Sequence, residues 1–99
     1  MRILLLGNTG QLGWELERTL APLGVVVALD FPVINLANEP STRQVLRDIA
    51  PDVVINATGY TAVDKAESEP DKAAAMNSRA PTILAEEAYT LGAALIHYS

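Results

Sequence analysis

Three glycines spaced three apart, Gly7, Gly10 and Gly13, follow the apolar run Ile3-Leu4-Leu5-Leu6 and open an amphipathic stretch. Their chemistry is that of an anion cradle. Glycine at position 7 lets the chain turn sharply off a strand, at 10 it clears the side chain that would keep a phosphate from the backbone, and at 13 it lets a helix approach that strand closely. The first N–H groups of the helix, at Gln11, Leu12 and Gly13, lack intrahelical partners and sit at the positive end of the helix dipole. Asp30 closes the next apolar run, Val25-Val26-Val27-Ala28-Leu29, near the position about 20 residues beyond the glycines where an acid accepts bonds from ribose hydroxyls. The pattern points to a dinucleotide, its diphosphate on the helix start and its adenosine ribose on Asp30. An acid there disfavours a 2′-phosphate and no basic residue sits nearby, so the residues favour NADH over NADPH. A plain strand-to-helix turn would explain Gly7 and Gly13 but would call for neither Gly10 nor Asp30.

The elements that must position these residues follow from periodicity. Arg2–Leu6 reads as a strand and Gln11 to Leu23 as a helix, with Leu12, Leu16, Leu20 and Leu23 on its buried face and Gly24 at its end. A second strand spans Val25–Leu29, and 31–36 is an extended connection. Ser41 or Asn38 can cap a helix running to Ile49, and Pro51-Asp52 leads into a third strand at Val53–Asn56. From Glu69 to Leu91 the pattern is helical, with Pro81 expected to kink or divide it, and Ala93–Tyr98 is a fourth strand. Strands alternating with helices predict an α/β fold, a Rossmann-like doubly wound parallel sheet of four strands, here expected in the order 3-2-1-4. Trp14 is expected to pack against the sheet or a neighbouring surface. The fourth strand should form an unprotected edge, a template for pairing two chains into a homo-oligomer.

Composition removes several classes of function. The chain has 99 residues, enough for one domain, and 49% of them are hydrophobic. It contains no cysteine and a single histidine, His97, so thiolate and paired-imidazole metal sites are excluded and no metal is expected. A net charge of −5 with scattered basic residues argues against nucleic acid as a partner. No apolar run is long enough to cross a membrane, and with no secretory signal pattern a cytoplasmic location is expected.

Several segments together carry a specific resemblance. Gly7-Asn-Thr-Gly-Gln-Leu-Gly-Trp14, Ala28-Leu29-Asp30, Pro51-Asp52-Val53-Val54-Ile55-Asn56-Ala57, Thr61-Ala-Val-Asp-Lys-Ala-Glu67 and His97-Tyr98-Ser99 resemble the amino-terminal part of the dTDP-4-dehydrorhamnose reductase family, extended short-chain dehydrogenases/reductases. The resemblance implies NADH- or NADPH-dependent reduction of dTDP-6-deoxy-L-lyxo-4-hexulose to dTDP-L-rhamnose. It implies cofactor contacts from Gly10, Gln11 and Leu12 at the phosphates, Asp30 at the ribose, Asn35 and Leu36 beside the adenine, Thr58, Gly59, Tyr60 and Thr61 in the loop after the third strand, and Tyr98 on the fourth. A sugar nucleotide is a partner only of the complete family protein.

Three departures from the family pattern stand out. Asn35 replaces a common Asp, Thr58-Gly59-Tyr60 replaces Ala-Ala-His, and the catalytic Thr of the family would follow Ser99. No Tyr-x-x-x-Lys pair occurs within residues 1–99. The expectation is a dinucleotide-binding domain fragment over 1–99, without catalytic residues and inactive alone, because ketone reduction needs an acid for the nascent alkoxide. His97 reads as a packed or surface residue, and Ser99 has no base to activate it. Two other classes remain open: a non-catalytic nucleotide-binding regulatory subunit, as the β subunit of methionine adenosyltransferase implies by resemblance, and an assembly module pairing through its open sheet edge.

Overall fold

The computed structural model describes residues 1–8, 10–30, 33–36, 38–58 and 79–98. Strands β1 (Arg2–Leu6), β2 (Val25–Leu29), β3 (Val53–Asn56) and β4 (Ala94–His97) form one parallel sheet, with helices α1 (Gln11–Leu20), α2 (Glu39–Ile49) and α3 (Ala80–Leu91) between them. Side chains of β1 alternate between two cores. Ile3 and Leu5 pack with Ile55, Ala57 and the α1 residues Leu12, Leu16 and Leu20. Leu4 and Leu6 face Val54, Leu46 of α2 and Leu84 of α3. The α/β doubly wound class is therefore as expected.

The strand order is not. It is β2-β1-β3-β4, which corrects the expected 3-2-1-4. The segment after β2 turns and buries Ile34 and Leu36 in the α2 core, so α2 runs back across the sheet and delivers β3 to the free side of β1. The α1 and α2 crossovers travel in opposite directions on opposite faces, and so share one hand. Burial favours this arrangement: Val54 and Ile55 are buried, as a central strand requires, while β2 is only partly buried and suits an edge.

Local details also differ. α1 ends at Leu20, Ala21–Leu23 form a turn of 3₁₀ helix, and Leu23 is 59% exposed instead of buried. Trp14 is 54% exposed, more open than packing on the sheet alone would leave it, and Arg18 stacks over its ring at 4.7 Å from the centroid. Asn38, not Ser41, caps α2, its side chain accepting from the Ser41 N–H at 3.1 Å. Pro81 lies in the first turn of α3, which begins after a turn at Arg79, so its missing N–H costs nothing; residues 69–78 of the expected helix fall outside the described residues.

One feature of the α2–α3 contact was not anticipated from the sequence. Glu87, 2% exposed, accepts from Arg43 at 3.0 Å and from Arg47 at 2.9 Å, while Arg43 also reaches Glu86 and Glu39, and Arg79 pairs with Glu39. Arg47, with Arg43 behind it, holds the Glu87 carboxyl below the usual carboxylate range although burial pushes it up. Arg79 and Arg43 lower Glu39 in the same way.

Candidate functional site

Parallel register aligns the carboxyl ends of all four strands. Leu29 pairs with Leu6, Leu6 with Asn56 and Asn56 with His97. The ladder then continues one residue further: the Gly7 N–H donates to Leu29 O at 2.8 Å, Ala57 N–H to Leu6 O at 2.9 Å and Tyr98 N–H to Asn56 O at 3.0 Å. Asp30, Gly7, Ala57 and Tyr98 thus follow the strands as a row across one end of the sheet. From β2 to β4 the row spans three strand spacings, about 14 Å, so a ligand touching both ends must be long. The chain leaves β1 toward β2 on one face and returns to β3 from the other, which makes the β1/β3 boundary the topological switch point, the usual ligand crevice of such sheets.

Two glycines fix the turn at that boundary. Gly7 has φ +90°, and a Cβ on it would stand 2.8 Å from the Thr58 nitrogen, so the end of β3 presses directly on the turn. A Cβ on Gly13 would stand 2.0 Å from the Gly7 carbonyl oxygen, so α1 begins in backbone contact with the end of β1. Gly10 precedes α1 with φ −74° and ψ 164°, contributes no side-chain cap, and no acidic residue occupies the first turn. Among the described residues, Gly10 supplies no capping side chain and the first turn no carboxylate to compete with an anion, and the residues fit a diphosphate on N–H groups of Gln11, Leu12 and Gly13. Gln11 is exposed and Leu12 half-buried toward the sheet. Asn8, in the same loop, donates to Glu17 at 3.4 Å.

The remaining expected residues divide. Asp30 is half-buried at the end of β2, and its carbonyl accepts from Ile34 N–H at 3.1 Å. Asn35 is half-buried, and its carbonyl accepts from the Thr42 hydroxyl at 3.1 Å. Leu36 is 4% exposed and packs in the core on the α2 side of the sheet. Tyr98 packs against the Ile3, Leu5 and Ile55 cluster. Gly59, Tyr60 and Thr61 lie outside the described residues, as does Ser99.

A side-chain network at the same end of the sheet escaped the sequence reading. The Asn56 side-chain oxygen accepts from the Thr58 N–H at 3.1 Å and from the Thr58 hydroxyl, and its amide lies 3.2 Å from His97 Nδ1. The signal available was two polar residues, Asn56 and His97, each closing an apolar strand. Among the described residues no helix is long and apolar enough to cross a membrane.

Comparison with known proteins agrees with this geometry. A curated dTDP-4-dehydrorhamnose reductase of Escherichia coli (strain K12) is 46% identical over 103 residues, covering 100% of this chain and 34% of that protein. A dTDP-4-dehydrorhamnose reductase structure from Clostridium acetobutylicum matches with a TM-score of 0.82 at 36% identity, covering 96% of this chain and 34% of that one. One from Bacillus anthracis, solved in complex with NADP, matches with a TM-score of 0.80 at 32% identity over 95% of this chain and 34% of that one. The chain spans about a third of the length of these relatives. A family model described as the RmlD substrate binding domain matches residues 1–99, and the chain belongs to that family.

Proposed function

We propose that this chain is the dinucleotide-binding part, over residues 1–99, of a reductase that converts dTDP-6-deoxy-L-lyxo-4-hexulose to dTDP-L-rhamnose, working in the cytoplasm. The observation that carries the reading is the start of α1, whose first turn holds no acidic residue and which the Gly13–Gly7 contact sets beside the β1/β3 switch point. The diphosphate of the cofactor lies on the N–H groups that follow Gly10, and Asp30 accepts from the adenosine ribose. Asn35 and Leu36 would flank the adenine. Thr58 and Tyr98, which follow β3 and β4, would contact the other half of the cofactor. When bound, the reduced nicotinamide supplies a hydride; residues 1–99 hold no Tyr-x-x-x-Lys pair to supply the acid, so the chain binds cofactor without turnover.

Asp30 makes NADH the preferred form, since its carboxylate would meet the 2′-phosphate of NADPH. Calorimetric titration of the 99-residue chain tests both points. NADH is expected to bind more tightly than NADPH, and Asp30→Ala is expected to cost about tenfold in NADH affinity, the worth of a charge-assisted hydrogen bond, with little change for NADPH. Absence of binding by either nucleotide would remove the reading, and equal losses for both would remove the role of Asp30. We also propose that two chains pair along β4, whose Ala94, Ile96 and His97 are exposed on an outer strand; sedimentation showing monomer alone at high concentration would contradict it.

A further inference from the structure

We infer that Asn56 and His97 are positioning residues for the nicotinamide half of the dinucleotide. The inference rests on the proposed cofactor site and adds to it residues that touch no ligand. Asn56 ties three segments together. Its side-chain oxygen holds Thr58 through N–H and hydroxyl, its backbone carbonyl accepts from Tyr98 N–H at 3.0 Å, and its amide reaches His97 Nδ1 at 3.2 Å. It is 7% exposed, as is Thr58.

Hydrogen-bond polarity makes the arrangement directional. A backbone N–H can only donate, so the Thr58 contact identifies the acceptor atom of Asn56 as its oxygen. The amide nitrogen therefore faces His97 and donates, Nδ1 accepts, and the neutral imidazole carries its proton on Nε2. A reversed Asn56 amide would set its N–H₂ group against the Thr58 N–H and its oxygen against Nδ1. The Thr58 N–H thus fixes which way Asn56 points, His97 holds the other end of the amide, and Asn56 fixes the backbone where the chain leaves β3. That backbone is the part that presses on Gly7.

The location assigns the role. Asp30 and the α1 start lie on the β2 and β1 side of the row, whereas Thr58 and Tyr98 lie on the β3 and β4 side. A ligand whose adenosine end sits on Asp30 meets the Asn56 network only with its other end. The network should therefore discriminate between a whole dinucleotide and its adenosine half.

The experiment compares NADH with ADP, which carries the adenosine and diphosphate alone, on the 99-residue chain. His97 is exposed, so His97→Leu removes the bond to Asn56 without opening a cavity. His97→Leu is expected to weaken NADH about fivefold, the scale of one lost hydrogen bond, and to leave ADP unchanged; Asn56→Ala, which loses three, is expected to weaken NADH further. His97→Gln, whose side-chain oxygen can accept the same bond, is expected to restore NADH affinity. In the parent chain, ¹⁵N NMR should find the His97 proton on Nε2, with Nδ1 free of hydrogen. Equal losses for ADP and NADH, no loss at all for His97→Leu, or a proton on Nδ1 would overturn the inference. A parent chain that binds neither nucleotide would instead overturn the cofactor reading, and the positioning role with it.

Discussion

Gly13→Ala is expected to destabilise the fold by about 2–3 kcal/mol and to reduce NADH affinity more than tenfold. In an ordinary helix the same change would gain about 1 kcal/mol from improved propensity. Here the new Cβ would sit 2.0 Å from the Gly7 carbonyl oxygen, 2.7 Å from the carbonyl carbon and 2.8 Å from the Asn8 Cα. All three are backbone atoms and no rotamer change relieves them. α1 must slide away from β1, drawing Leu12 and Leu16 off the Ile3–Leu5 core and moving the first N–H groups from the switch point. Overlap of that depth outweighs propensity. Urea unfolding and NADH titration of the same sample would measure both effects, and a variant as stable as its parent with undiminished binding would show that the contact does not position the helix.

The second large effect is expected at Glu87. Glu87→Ala should lower stability by about 2 kcal/mol, because it leaves guanidinium donors at the α2–α3 contact without their buried acceptor. Glu87→Gln should cost less, since an amide oxygen still accepts from one arginine. Arg47 is 59% exposed and can turn to water, which keeps the loss below that of a fully enclosed pair. Acid should act through the same groups. The folded-state pKa values of Glu87 and Glu39 lie below the ordinary 4.5, so their contribution is complete above the unfolded pKa and is lost as pH falls through the folded one. Thermal melts should hold steady down to about pH 5 and decline below about pH 4.5, less steeply in Glu87→Gln. A parallel decline in parent and variant would assign acid sensitivity to other carboxylates.

What the sequence made legible, and what it hid, follows from the range of the forces involved. Gly7 and Gly13 could be read from spacing because a strand–glycine–helix turn is local chemistry, and the structure bears out both the sharp turn and the close approach. Asp30 and Tyr98 could be placed at one end of the sheet because every strand of a parallel sheet ends there. Strand order was not local. It depended on Ile34 and Leu36 finding a core beneath the sheet and on α2 crossing the face opposite α1, which no window of the sequence contains. The network of Glu87 with Arg43 and Arg47 depended on which helix packs against which, although Glu39, Arg43 and Arg47 already stood four apart along one face of α2. Asn56 and His97 meet only through the β3–β4 register. Trp14 had an apolar ring that suggested burial, but its place on α1 turns it outward, where Arg18 covers it.

The most direct measurement is an ¹H–¹⁵N NMR titration of the 99-residue chain with ADP, following backbone amides one by one. Saturable shifts are expected at Gly10, Gln11, Leu12 and Gly13, accompanied by Asp30, with the amides of α2 and α3 unmoved. Shifts confined to other residues, or none at nucleotide concentrations that saturate the chain by calorimetry, would contradict a diphosphate held on the start of α1.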